Sequence, residues 1–140
     1  MSIGDTESLR DAYEEVRSDK TDTNWAVLKY DGNTIVLEDT GTDFGDFKSR
    51  FTDDERKYGY LRVVTGDELS KRSKFVFIAW CGNDISAIKK ARLGTDKAHV
   101  KNIMSNFAIE LLVSEHEELE EEQILQAVRK AGGANYGTGQ

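Results

Sequence analysis

The chain has 140 residues, a mass of 15.8 kDa and a formal net charge of −7, with 38% hydrophobic and 32% charged residues. That leaves room for one domain with a core of its own, and Cys81, the single cysteine, excludes an internal disulfide framework. No run approaches the roughly 18 apolar residues of a membrane-spanning helix, and Met1-Ser2-Ile3-Gly4-Asp5 lacks the basic and apolar regions of a signal peptide, so the expected location is cytoplasmic.

Leu9, Ala12, Tyr13 and Val16 recur at i, i+3, i+4 and i+7, which predicts an amphipathic helix opened by Asp5 or Thr6. Trp25 to Tyr30 and Thr34 to Glu38 are β-rich runs on either side of Asp31-Gly32-Asn33, the strongest hairpin signal in the chain. Phe44, Phe47 and Phe51 share one face of a short helix, and an aromatic stripe of this kind belongs to a core. From Tyr58 to Val64 the residues alternate. Tyr58, Tyr60, Arg62 and Val64 lie on one face, Leu61 and Val63 on the other. After a turn at Gly66, Phe75 to Cys81 is almost wholly apolar and reads as a central strand buried on both faces.

The second half is more helical. Ile85 to Arg92 predicts a short helix that stops at Gly94, with Thr95 capping the next one. In that second helix Val100, Ile103, Met104 and Phe107 mark the buried stripe, and Asp96, Lys97, Lys101 and Asn102 fall near or on the solvent side. Leu111-Leu112-Val113 reads as a last strand. Ser114 and Glu117 have capping-box spacing, and Ile124, Ala127, Val128 and Ala131 line the final helix. Its early glutamates and its Arg129 and Lys130 complement the helix dipole. Gly132 and Gly133 are expected to end it. The pattern as a whole is α/β. One mixed sheet of about five strands lies between helices on both faces, in a single domain over 1–131 with a flexible glycine-rich tail over 132–140.

Charge is unevenly placed. Between Lys71 and Lys101 stand eight basic residues (Lys71, Arg72, Lys74, Lys89, Lys90, Arg92, Lys97 and Lys101) against Asp84 and Asp96, about +6 locally and about −13 elsewhere. Such a segment can steer an acidic partner, although scattered solubilising charge would give the same count. Catalytic patterns are lacking. His99 and His116, expected on helix surfaces, have no Cys or His at metal-ligand spacing. Cys81 follows a buried strand with no evident activating neighbour, and the glycines show no phosphate-loop spacing. An enzyme is not expected, nor a cofactor or metal.

Specific runs go further than pattern. Trp25 through Tyr30-Asp31-Gly32, Thr65-Gly66-Asp67, Ser70-Lys71-Arg72-Ser73-Lys74-Phe75, Gly94-Thr95-Asp96-Lys97 and Lys130-Ala131-Gly132-Gly133-Ala134-Asn135-Tyr136 resemble the coactosin branch of the actin-depolymerising-factor homology (ADF-H) family, at matching spacing over essentially the whole chain. The resemblance implies the ADF-H fold. It also implies binding to filamentous actin in the cytoplasmic actin cytoskeleton, with weak or no affinity for actin monomers and no severing, and it points to a monomeric protein with no nucleic-acid or membrane partner. A monomer-binding or depolymerising factor, and a scaffold or chaperone for a soluble enzyme, are the alternatives.

Residue by residue, Lys74 matches the lysine that coactosins use at the filament, and Lys71 and Arg72 extend its basic edge. Lys97 matches the first basic residue of the long helix that the family presents to actin. His99 and Val100 stand where depolymerising members carry a second basic residue and a methionine, and Lys101 restores charge one turn later. The serine-glycine-valine start of those members is also missing. These departures imply side-binding rather than severing. Lys130 matches a lysine that vertebrate relatives use toward a lipoxygenase, which would make a soluble enzyme a second partner through the C-terminal helix.

Overall fold

The computed structural model describes residues 1–66 and 69–139. The elements, in order, are β1 (Ser2–Ile3), α1 (Thr6–Arg17), β2 (Trp25–Asp31), β3 (Thr34–Gly41), α2 (Phe44–Ser49), β4 (Arg56–Thr65), β5 (Arg72–Cys81), α3 (Ala87–Ile103), β6 (Ile109–Val113), a 3₁₀ turn (His116–Leu119) and α4 (Glu121–Gly139). The strands form one mixed sheet in the order β1-β3-β2-β4-β5-β6. Its interior pairings β3-β2-β4-β5 are antiparallel, and both edges, β1 on β3 and β6 on β5, are parallel.

Strand alternation divides the core between the two faces of the sheet. Tyr58 and Tyr60 of β4 and Phe77, Ala79 and Cys81 of β5 pack with α1 (Leu9, Ala12, Tyr13, Val16) and α3 (Leu93, Val100, Ile103). Leu61 and Val63 of β4 and Val76, Ile78 and Trp80 of β5 pack with α2 (Phe47) and α4 (Ile124, Val128). The expected sandwich is therefore present, with β4 and β5 buried on both sides. One detail differs. The apolar stripe of α3 covers Phe77, not Ile78 and Trp80, which face α2 and α4.

Four expectations about elements are corrected. Six strands form among the described residues instead of about five, because the two residues of β1 are too few to show any periodicity. The two helices expected around Gly94 and Thr95 are one helix, α3, with Ser86 as N-cap. Gly94 costs helix stability but does not stop a helix whose buried positions Leu93, Asp96, Val100 and Ile103 continue in phase across it. The Thr95 hydroxyl donates back to the Ala91 carbonyl at 3.1 Å instead of capping. The capping box is Glu115 with Glu118, one residue on from Ser114 and Glu117, and it opens the 3₁₀ turn. Finally, α4 runs past Gly132 and Gly133 to Gly139, so Arg129 and Lys130 lie within the helix, where dipole complementarity at its end does not account for them. Gln140, the last residue of the expected tail, lies outside the described residues.

The local chemistry of the correctly read elements is direct. The Asp5 carboxylate accepts from the Glu7 and Ser8 amides at 3.1 and 3.3 Å and so caps α1. Gly32, at φ +63°, makes the β2–β3 hairpin turn. Gly66, at φ +102°, closes the β4–β5 connection so tightly that a Cβ there would lie 2.0 Å from the Ser70 carbonyl oxygen. That turn positions the start of β5, where the basic residues stand.

Candidate actin-binding surface

β5 begins at Arg72 and is buried only from Val76 onward, so its first residues project beyond the core. Arg72 and Lys74 alternate with Val76, Ile78 and Trp80 and therefore lean toward the α4 face. With Thr65 on β4 and Val128, Arg129 and Gly132 on α4 they line a groove of about 290 Å³. Lys71 and Arg72 are exposed, and Lys74 is half-buried. Among the described residues none of the three has a carboxylate within ion-pair distance. The antiparallel pairing of Lys74 to Val63 and Arg72 to Thr65 fixes the backbones of those two, and Lys71 immediately precedes the strand. Arg129 was not among the sequence candidates. Its position in the final helix was legible, but its nearness to Lys74 depends on how α4 crosses the sheet.

Lys97 and Lys101 lie elsewhere. They stand on α3, on the opposite face of the sheet, and both engage Glu110 of β6. Lys97 Nζ is 2.5 Å from one carboxylate oxygen and Lys101 Nζ is 2.7 Å from the other. The Lys101 ammonium also sits 5.6 Å from the centre of the Phe107 ring. Burial opposes ionisation of Glu110, but the hydrogen bonds from Lys101 and Lys97 prevail and hold its carboxyl below the ordinary value of 4.5. The sequence candidates thus form two sets, one without ion-pair partners among the described residues and one sharing a single carboxylate. Lys130 is exposed on α4. Asp96, expected near the solvent side, is buried, and its Oδ2 accepts from the Tyr30 hydroxyl at 2.8 Å.

The two α3 positions expected to depart from depolymerising members also separate. His99 is exposed, whereas Val100 has no solvent exposure and belongs to the core. Cys81 is buried, and burial pushes its thiol up despite the opposing charges of Lys90 and Arg56. His116 is on the 3₁₀ turn, with Nε2 2.6 Å from the Phe51 carbonyl oxygen and its ring 5.5 Å from that of Trp80. A larger hollow of about 510 Å³ adjoins it, with Asp53, Glu115 and Glu117 among its lining residues, the wrong sign for an acidic partner. Among the described residues no His, Cys, Asp and Glu cluster could hold a metal, and no helix is long and apolar enough to cross a membrane.

The profile of cofilin/tropomyosin-type actin-binding proteins matches residues 2–129. The chain belongs to that family. Within it, the chain is 48% identical to the coactosin-like protein of Rattus norvegicus over 132 residues, 94% of this chain and 93% of the relative. It is 44% identical to coactosin of Dictyostelium discoideum, over 91% of this chain and 90% of that one. The crystal structure of human coactosin-like protein superposes with a TM-score of 0.89 at 42% identity, covering 93% of this chain and 98% of the human one. The solution structure of mouse coactosin, described as an actin filament binding protein, superposes at 0.80 with 45% identity over 100% and 98% of the two chains. The ADF-H fold and the coactosin-like character of this family member are therefore shown.

Proposed function

We propose that this protein binds the side of filamentous actin in the cytoplasmic cytoskeleton, without severing, through the basic edge where β5 meets α4. The observation that carries the reading is the availability of Lys71, Arg72 and Lys74. They are three cations without ion-pair partners among the described residues, two of them on strand-paired backbone, in a chain whose net charge is −7. Lys74 is the central contact, with Lys71 and Arg72 beside it and Arg129 across the groove. Lys97 and Lys101 contribute less, because both are engaged by Glu110, which offsets half of their charge. The description of mouse coactosin as a filament-binding protein supports the same partner. The protein acts as a monomer and by binding, not by catalysis, and takes no cofactor, nucleic acid or membrane. Modulation of filament capping follows if the occupied filament side excludes other proteins.

Exposed charge pairs are worth about 0–1 kcal/mol each, but a lysine desolvated in an interface counts for more. Lys74→Ala should therefore abolish or sharply reduce co-sedimentation with actin filaments while the melting temperature stays at the wild-type value. Lys29→Ala, an exposed position on β2, should pellet normally. A folded Lys74→Ala protein that pellets like wild type would remove the interface. A second reading, docking of a soluble enzyme on α4, is favoured by Lys130, which is exposed and has no role at the helix end. A pull-down that returns a soluble enzyme from wild type and not from Lys130→Ala would support it.

A further inference from the structure

The register of β6 on β5 relates the two basic sets through one carboxylate, Glu110. The parallel pairing of β6 to β5 begins with Ile109 opposite Val76, two residues beyond Lys74, and places Glu110 opposite Phe77. Phe77 faces α3, and Glu110 does likewise, meeting Lys97 and Lys101 one helical turn apart. β6 is the edge strand, so Glu110 stands where the α3 face wraps toward the β5–α4 edge. Further back along α3, Lys89, Lys90 and Arg92 are exposed and have no ion pair among the described residues. Without Glu110, Lys97 and Lys101 would join Lys89, Lys90 and Arg92 as α3 cations with no ion pair among the described residues. With it, Lys97 and Lys101 are held in ion pairs at the end of that helix. Each ammonium there meets its own carboxylate oxygen, and Lys101 is further held over Phe107.

Building on the function proposed for the β5–α4 edge, we infer that Glu110 is a specificity-determining residue. It withholds the end of α3 from acidic partners and confines actin binding to that edge. It does so without touching the partner. An acidic surface that approaches α3 must displace Glu110 from two lysines, and both ion pairs oppose it. An acidic surface at Lys74 breaks no ion pair among the described residues. Glu110 thereby biases the protein toward the narrow footprint of a filament side and away from a broader footprint that takes in α3.

The test compares wild type, Glu110→Gln, Lys74→Ala and the double variant against three probes. These are actin monomers blocked from polymerising, actin filaments, and immobilised poly-L-glutamate, at about 50 mM salt where screening is weak. Glu110→Gln keeps the side-chain shape and removes the charge. Two freed lysines should tighten binding to monomers and to poly-L-glutamate about fivefold to tenfold. The gain should persist in the double variant, because it arises on the other face from Lys74. Glu110→Asp, which draws the carboxylate back without removing it, should give a smaller gain and serves if Glu110→Gln does not fold. No gain with either probe, or a gain that vanishes with Lys74, overturns the inference. The poly-L-glutamate arm reads Glu110 independently of actin. If wild type fails to pellet with filaments, the filament-binding proposal falls while a poly-L-glutamate gain still supports the masking role of Glu110.

Discussion

Glu110 and Asp96 are two acids on or beside α3 that solvent does not simply cover, and each makes a distinct prediction. Glu110 is held below 4.5 by Lys101 and Lys97 in spite of burial. A carboxylate with a depressed folded-state pKa contributes stability above its unfolded value, and that contribution is lost as pH falls through the folded value. The melting temperature of wild type should therefore exceed that of Glu110→Gln at pH 7, and the gap should close as pH falls from about 5 to 3. A gap of equal size at both ends of that range would mean that the ion pairs do not stabilise the fold. Asp96 accepts from Tyr30, whose hydroxyl also lies 3.2 Å from that of Tyr58, while Tyr58 donates to the Leu93 carbonyl at 2.6 Å. Burial pushes Tyr30 up to about 12, so it remains a donor throughout the physiological range. Asp96→Ala leaves that hydroxyl short of its acceptor and should cost about 1–3 kcal/mol in denaturant unfolding. Neither role was legible from sequence. An aspartate or glutamate defaults to solvent, and the partners lie in distant elements, Tyr30 on β2 and Lys97 and Lys101 on a helix before β6. The place of Lys74 at the half-buried start of β5 was legible from the apolar run that follows it, and so was the short cationic segment around it.

Where elements are concerned, periodicity located the long amphipathic and alternating segments, because burial repeats along them. It failed where a break signal competed with a continuous buried stripe. Gly94 and Thr95 read as a stop and a cap, yet Leu93, Asp96, Val100 and Ile103 keep one face of α3 buried through both. A Cβ added at Gly94 would meet no atom within 4 Å, and the residue has no positive φ. Its replacement by alanine therefore removes a helix penalty of about 0.5–1 kcal/mol without a clash. Gly94→Ala should raise the unfolding free energy by about that amount, and unchanged or lower stability would mean that two helices meeting at Gly94 describe the protein better. Gly59 is the opposite case. A Cβ there would meet Phe47 Cζ at 2.9 Å and Phe51 Cζ at 3.1 Å, between rings already packed at 5.0 Å. Gly59→Ala should destabilise by about 1–3 kcal/mol, the usual cost of overpacking a filled core. The two substitutions are chemically identical, and only packing gives them opposite signs.

For the whole molecule, the sheet keeps two chemistries apart. β4 and β5 are buried on both faces and separate α1 and α3 from α2 and α4. Loss of a central ring such as Phe77, which stacks on Tyr58 and Phe107 at 5.9 and 5.5 Å, should cost about 3–5 kcal/mol for alanine and lower the melting temperature accordingly. The same separation places Lys74 and Lys97 on different faces, a fact hidden in a linear count of about +6 between Lys71 and Lys101. If filament binding uses the β5–α4 edge and the C-terminal end of α3 is masked, the protein should occupy the filament side without gripping a second actin surface through that end of its long helix. His99 offers one exposed imidazole ring on that helix, and Val100 is committed to the core. The protein should then pellet with filaments while filament length and the monomer pool stay constant. Binding should weaken as salt rises, because the contacts are charged and the Debye length drops below about 8 Å above physiological ionic strength. Microscopy of labelled filaments at stoichiometric protein reads length directly, and sedimentation in rising salt reads affinity. Salt-sensitive pelleting with unbroken filaments is the expected pair of results. Fragmentation would show that α3 engages actin despite Glu110, and would move the function toward depolymerisation.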